Sequence, residues 1–236
     1  LPSTLIHGIY NFYPQDLVPD LANAPAWFAV EIAADGQIFH MENGTVLGYQ
    51  QVLNMKTGVL NRAVLWQSPA GHVLRVEFER FASIADQHIL AQQITITALE
   101  PVEHLECRAF LDDERARSLV FVPGEGEKRI SHWTDETVSA ETQIATWEAK
   151  TAQSGYTVKL AQQVNVSVGE LFPAVDGNSP GQKFVVALNT GESITLTRVV
   201  AIATNRDTDN LHEFVAAKLV AAVEQVFAAR LLPGFV

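Results

Sequence analysis

The sequence predicts an all-β fold: a large antiparallel sandwich followed by one C-terminal helix. Three observations carry this. Long stretches alternate apolar and polar residues with period 2, as strands half buried against a core must. Turn signals recur between them often enough to separate a dozen or more strands. Helical periodicity is confined to the last part of the chain, where Leu211, Phe214, Val215, Leu219, Ala222, Val223 and Val226 recur at helix spacing.

Thr4 to Tyr10 is β-branched and aromatic and reads as a strand whose partner is not evident nearby. Asn11 to Pro25, punctuated by Pro14, Pro19 and Pro25, reads as a long loop. Trp27 to Ile32 returns to strand, and Asp35-Gly36 is a two-residue hairpin signal before Gln37 to His40, repeated at Asn43-Gly44. In His72 to Phe81, Leu74, Val76 and Phe78 share one face while Arg75, Glu77 and Glu79 share the other. Leu105, Cys107, Ala109 and Leu111 form a second inward row, opposed by Glu106 and Arg108.

Pro123 to Glu127 has the composition of a hairpin tip. Tyr156, Val158, Leu160, Gln162, Val164, Val166 and Val168 make a long inward stripe, with Thr157, Lys159, Gln163, Asn165 and Ser167 outward. Gly181 interrupts the pattern before strands Phe184 to Asn189 and Ile194 to Thr204, which flank a Thr190-Gly191 turn. Asn210 with Glu213 has N-cap and N3 chemistry, Asp207 and Asp209 suit the positive end of the helix dipole, and Pro233-Gly234 stops the helix. Such a helix, on a chain otherwise made of strands, has to pack on the sandwich or on something beyond it.

Composition narrows the functional classes. With 47% hydrophobic and 18% charged residues the chain can build a core, unlike a disordered segment. A net charge of −11 with only 16 basic residues argues against nucleic acid, whose phosphates call for clustered Lys and Arg. Cys107 is the single cysteine, so no internal disulfide or multi-thiolate metal cluster can form, and the inward row makes it a buried hydrophobe rather than a nucleophile. Leu1 to Tyr10 lacks the basic and apolar regions of a signal peptide, and Phe214 to Val223 is too short to span a bilayer. A cytoplasmic protein without a membrane partner is the expectation.

Chemistry-bearing patterns are sparse. There is no Gly-x-Ser-x-Gly elbow, and Gly124-Glu125-Gly126-Glu127-Lys128 has the wrong spacing and too much acid for a phosphate loop. None of the seven histidines is paired at metal-ligand spacing, so no metal site is expected. Asp112, Asp113 and Glu114 read as solvated loop acids, since catalytic carboxylates must face each other across a substrate. Asp86 and His88, flanking Gln87, point the same way if extended. They could place a carboxylate beside an imidazole, or be a turn cap and the residue starting the next strand. Trp27, at the end of Asn23-Ala24-Pro25-Ala26, could stack on a sugar ring or pack in the core, and Tyr13 shares that ambiguity. Asn23, Trp27, Tyr13, Asp86 and His88 are therefore the candidate carbohydrate contacts, and no residue is assigned as catalytic.

Several segments, in order, carry a family resemblance. Leu53-Asn54-Met55-Lys56-Thr57-Gly58-Val59-Leu60 resembles a leu-asp-met-arg-thr-gly-val-leu segment of the N-terminal β-sandwich domain of glycoside hydrolase family 65. Thr4 to Tyr10, Leu21 to Ile32, Asp35-Gly36, Ser68 to Gly71 and Glu79 to His88 are similar to further segments of that domain, the likeness weakening after residue 112 and returning at Ala201 to Asp207.

The resemblance implies a super-sandwich of the galactose-mutarotase-like class over residues 1–206, then a linker helix over 207–236 toward an (α/α) barrel. It implies a parent enzyme that cleaves an α-glucosyl disaccharide by hydrolysis, or by phosphorolysis with inorganic phosphate as co-substrate. The acid glutamate lies in the barrel, so this domain is non-catalytic, with the barrel and a homodimer as partners and no cofactor of its own. A stand-alone carbohydrate-binding or mutarotase-like module is the alternative.

Overall fold

The computed structural model describes residues 4–12, 18–122 and 126–229. In chain order the strands are β1 (Thr4–Asn11), β2 (Asp20–Ala24), β3 (Ala26–Ala34), β4 (Gln37–Ile38), β5 (Thr45–Asn54), β6 (Val59–Gln67), β7 (Val73–Ala82), β8 (Ile89–Ala98) and β9 (Val102–Asp112). A 3₁₀ turn (Asp113–Ala116) leads to β10 (Ser118–Val122), β11 (Gly126–Ile130), β12 (Trp133–Ala140), β13 (Ile144–Thr151), β14 (Thr157–Val166), β15 (Phe172–Asp176), β16 (Ser179–Leu188) and β17 (Ser193–Thr204). The chain closes with α1 (Leu211–Ala229). An eight-stranded sheet, ordered β12-β13-β14-β17-β8-β7-β6-β5, faces a five-stranded sheet, ordered β15-β16-β9-β3-β4, and the pairing is antiparallel throughout.

The inward rows build the main core. Leu74, Val76 and Phe78 of β7, with Ile94, Ile96, Leu196 and Val164, meet Ile32, Leu105, Cys107, Ala109 and Phe184 of the smaller sheet. Burial pushes the Cys107 thiol up to about 12, as an inert core residue requires. A second cluster stacks Trp133 edge-on against Trp147 near Ile9, Trp27 and Leu160.

Asp35 (φ 48°) and Gly36 (φ 77°) form the hairpin turn between β3 and β4, and Asp35 Oδ1 accepts the His104 amide at 2.8 Å, fixing a left-handed residue that is not glycine. In the Leu53 to Leu60 segment, Asn54 Oδ1 accepts the Lys56 and Thr57 amides at 3.0 and 3.2 Å, and Gly58 at φ 68° closes the turn from β5 to β6. This hairpin lies at the sheet edge, with Leu53 and Met55 exposed.

Several expectations are corrected. The partner of β1 is β2, which lies inside the stretch that reads as a loop, because Asp20 to Ala24 pairs with Thr4 to Asn11. Asn43 ends a bridge to His40 rather than forming a second two-residue hairpin. β16 runs straight through Gly181, where a Cβ would stand 2.3 Å from Ala109 O, so glycine is there for close strand approach. Lys159 is buried, not outward, and pairs with Glu148 at 2.7 Å. Asp112 and Asp113 are buried as well.

The helix explains why that outer face is covered. Asn210 Oδ1 accepts the Glu213 amide at 3.2 Å while Asn210 Nδ2 donates to Glu213 at 2.8 Å, a reciprocal cap. Leu211, Val215, Leu219 and Ala222 then pack onto Ile89, Ala161, Val199, Ala201 and Ala203. Each large side chain so buried removes about 1.5–3 kcal/mol of gross exposure cost.

Candidate functional site

A cleft of about 560 Å³ opens between the sheets where β3 faces β6 and β7. Its register follows from the strands: Arg62 pairs with Phe78, and Arg80 with Leu60, so both arginines stand diagonally on the sandwich-facing side. The Arg62 guanidinium sits 4.1 Å from the Phe78 ring and that of Arg80 sits 4.5 Å from Phe28. Burial lowers the pKa of both; for Arg62 the neighbouring Arg80 charge lowers it further, against an opposing effect of Tyr49. Across the cleft Arg115 Nε holds Asp112 Oδ2 at 2.7 Å.

Behind the cleft Arg198 is fully buried between the sheets. Its Nη1 donates to Phe110 O at 3.1 Å and Gln162 Oε1 at 3.3 Å, and its Nη2 to Ala29 O at 2.9 Å and to Gln92 Oε1. Gln162 continues the network to Ala109 O at 3.0 Å and Gln182 at 2.8 Å. Ala29 and Phe110 are paired residues beside a register shift in β3–β9, so the guanidinium takes up carbonyls that the irregular ladder presents inward. Burial pushes Arg198 down to about 9.

The residues singled out by sequence fall in separate places. Asn23 is buried: its Oδ1 accepts the Thr4 amide at 2.8 Å and its Nδ2 donates to Arg115 O. Trp27 is 9% exposed and packs edge-on against Phe28 in the second core cluster. Tyr13 lies outside the described residues. Asp86 and His88 do come together, as a turn: Asp86 Oδ1 accepts the His88 amide at 3.1 Å. His88 Nδ1 donates to Ile202 O at 2.9 Å, and its ring meets Phe214 edge-on at 5.0 Å. Asp86 Oδ2 holds Lys218 Nζ. These two residues therefore fasten α1 to the large sheet.

Sequence reasoning missed the arginines. A signal was present: Arg80 continues the Leu74, Val76, Phe78 row, and Arg198 sits in the inward row between Leu196 and Val200. On the opposite side of the large sheet, Gln50, Asn61, Glu77, Glu79, Gln93 and Thr95 line a polar trough of about 450 Å³. Among the described residues no group of three His, Cys, Asp or Glu is placed to hold a metal ion, and no helix is long and apolar enough to cross a membrane.

Comparison with known proteins places this architecture. The structure superposes on a putative kojibiose phosphorylase from human microbiome with a TM-score of 0.80 at 14% identity, covering 95% of this chain and 30% of that one, which shows the fold. The kojibiose phosphorylase of Halothermothrix orenii is 34% identical over 125 residues, 53% of this chain and 16% of its own length. The α,α-trehalose phosphorylase of Thermoanaerobacter brockii is 29% identical over 254 aligned positions, 96% of this chain and 31% of its own. The chain thus spans less than a third of the length of these relatives. The model of the glycosyl hydrolase family 65 N-terminal domain matches residues 1–232, and the chain belongs to that family.

Proposed function

We propose that this chain is the non-catalytic sandwich of an enzyme acting on an α-glucosyl disaccharide, and that residues 207–236 lead to a helical (α/α) barrel that performs the reaction. Inorganic phosphate is the co-substrate if the parent is a phosphorylase, as the kojibiose and trehalose relatives are named. The observation that carries the reading is α1. Its buried side is fixed to the sheet, yet Ala216, Ala217, Val220 and Ala221 make a second, exposed apolar strip between Glu213 and Glu224. A helix with apolar residues on both sides suits a platform on which a further domain rests. A homodimer belongs to the same proposal, with exposed Tyr49, Val52, Leu53 and Met55 of the β5–β6 edge as its surface. The working compartment we assign is the cytoplasm, where the free thiol of Cys107 stays reduced.

The test is Val220→Glu, at a position 59% exposed. The chain alone should keep its melting temperature, whereas the parent protein with its barrel should lose solubility or activity. An unaffected parent would overturn the platform.

The polar trough beside β6 and β7 favours a second reading, carbohydrate binding by the sandwich itself, because its amides and carboxylates match sugar hydroxyls in hydrogen-bonding chemistry. Titration calorimetry with glucose, maltose, trehalose and kojibiose separates the two: heat abolished by Asn61→Ala supports it, and no heat removes it.

A further inference from the structure

We propose that the cleft holding Arg62 and Arg80 binds a phosphate monoester of a small polyol, the phosphate lying between the two guanidiniums and the organic part along Gln51 and Gln92. This goes beyond the family reading and does not rest on it.

The chain carries a net −11, so acids are abundant, yet among the described residues neither Arg62 nor Arg80 has a carboxylate within ion-pair distance. Other cations nearby are matched: Arg115 holds Asp112, and Arg108 lies 3.6 Å from both Glu31 and Asp176. Two like charges on diagonal positions of one strand pair repel, and their partial burial makes that repulsion costly unless an anion sits between them.

The Arg62 and Arg80 guanidiniums lie over the Phe78 and Phe28 rings at 4.1 and 4.5 Å, and among the described residues neither donates a side-chain hydrogen bond, so their N–H groups remain for a ligand. One carboxylate, with two oxygens, satisfies a single fork. A phosphate monoester carries about two negative charges and three terminal oxygens, enough to engage both. The cleft, at about 560 Å³, also leaves room for a sugar-sized group beyond the phosphate. Gln51 and Gln92 line that room, and Gln92 is itself oriented by Phe28 O at 3.4 Å.

The experiment is calorimetric titration of the full chain at fixed ionic strength with glucose 1-phosphate, inorganic phosphate and glucose. Glucose 1-phosphate should bind, more tightly than inorganic phosphate, and glucose should not. Arg62→Gln and Arg80→Gln should each weaken binding by about tenfold or more, the usual scale for a charge-assisted fork. Arg62→Lys and Arg80→Lys, which keep the charge and the fold but not the fork, should fall between. Lys150→Gln, exposed on β13 away from both the cleft and the trough, should change nothing. Equal affinity for inorganic phosphate would overturn the monoester assignment. Absence of binding, or binding undiminished in the Arg62 and Arg80 variants, would overturn the site.

Discussion

Lys218 of α1 reaches Asp86, 132 residues earlier, with Nζ 2.5 Å from Oδ2, so the C-terminal helix is latched to the loop entering β8. Burial alone would raise the Asp86 carboxyl, but the Lys218 hydrogen bond, the His88 amide and both neighbouring charges outweigh it and hold it below 3.8. A depressed acid stabilises the fold above its unfolded value and loses that contribution as pH falls through the folded one. Asp86→Asn should therefore loosen α1 at pH 7, and the difference from the parent sequence should shrink as pH falls through the folded Asp86 value. The pair is a third exposed, so the effect on helix opening should be on the order of 0.5 kcal/mol, read by hydrogen exchange of amides 211–224.

Arg198 binds both sheets through main-chain carbonyls of β3 and β9. Arg198→Met should cost about 2–3 kcal/mol in urea unfolding, because it removes the charged donor from Ala29 O, Phe110 O and Gln92 Oε1. Its folded value, about 9, lies below the unfolded 12.5, so the cost of charging it is full at neutral pH and relieved only above about 9. A variant as stable as the parent sequence would show that the network is dispensable.

Asp113 is pushed up to about 7, first by burial and then by Glu136, with Arg117 opposing. Its folded value exceeds the ordinary 3.8, so its stabilisation is full below pH 4 and is lost as pH rises toward 7. Asp113→Asn should flatten the fall in stability between about pH 4 and 7, on the order of 1–2 kcal/mol, read from melting temperature against pH. An unchanged slope would assign the pH dependence elsewhere.

Gly181→Ala should destabilise by about 2–3 kcal/mol, since the added carbon meets Ala109 O and the Phe110 backbone of β9. Asn54→Asp, which keeps the oxygen that caps the turn, should stay within about 0.5 kcal/mol, whereas Asn54→Ala should lose about 1 kcal/mol. Chemical denaturation of the three variants checks the order.

The sandwich was legible because alternation reports burial directly: the rows Leu74-Val76-Phe78 and Leu105-Cys107-Ala109 lie where period 2 puts them. Alternation fails where both sides of a strand are covered. Ala161 lies under α1, and Lys159 two residues earlier is buried against Glu148 of β13, long-range contacts that no local pattern encodes. β2 was hidden because Asp20 to Ala24 is short, flanked by prolines and matched only by a strand across a loop. Asp112 and Asp113 read as solvated because three acids in a row normally are, whereas the end of β9 buries Asp112 opposite Ala26 and the 3₁₀ turn buries Asp113. Of the candidate carbohydrate contacts, the Asp86–His88 turn was readable from spacing, but its helix partner was not.

On the proposed reading, the sandwich supports a reaction that it does not itself perform. The direct measurement is incubation of the pure chain with maltose, trehalose and kojibiose, with and without inorganic phosphate, while glucose and glucose 1-phosphate are followed. No release above the uncatalysed rate is predicted; steady turnover of any of the three sugars would contradict the account.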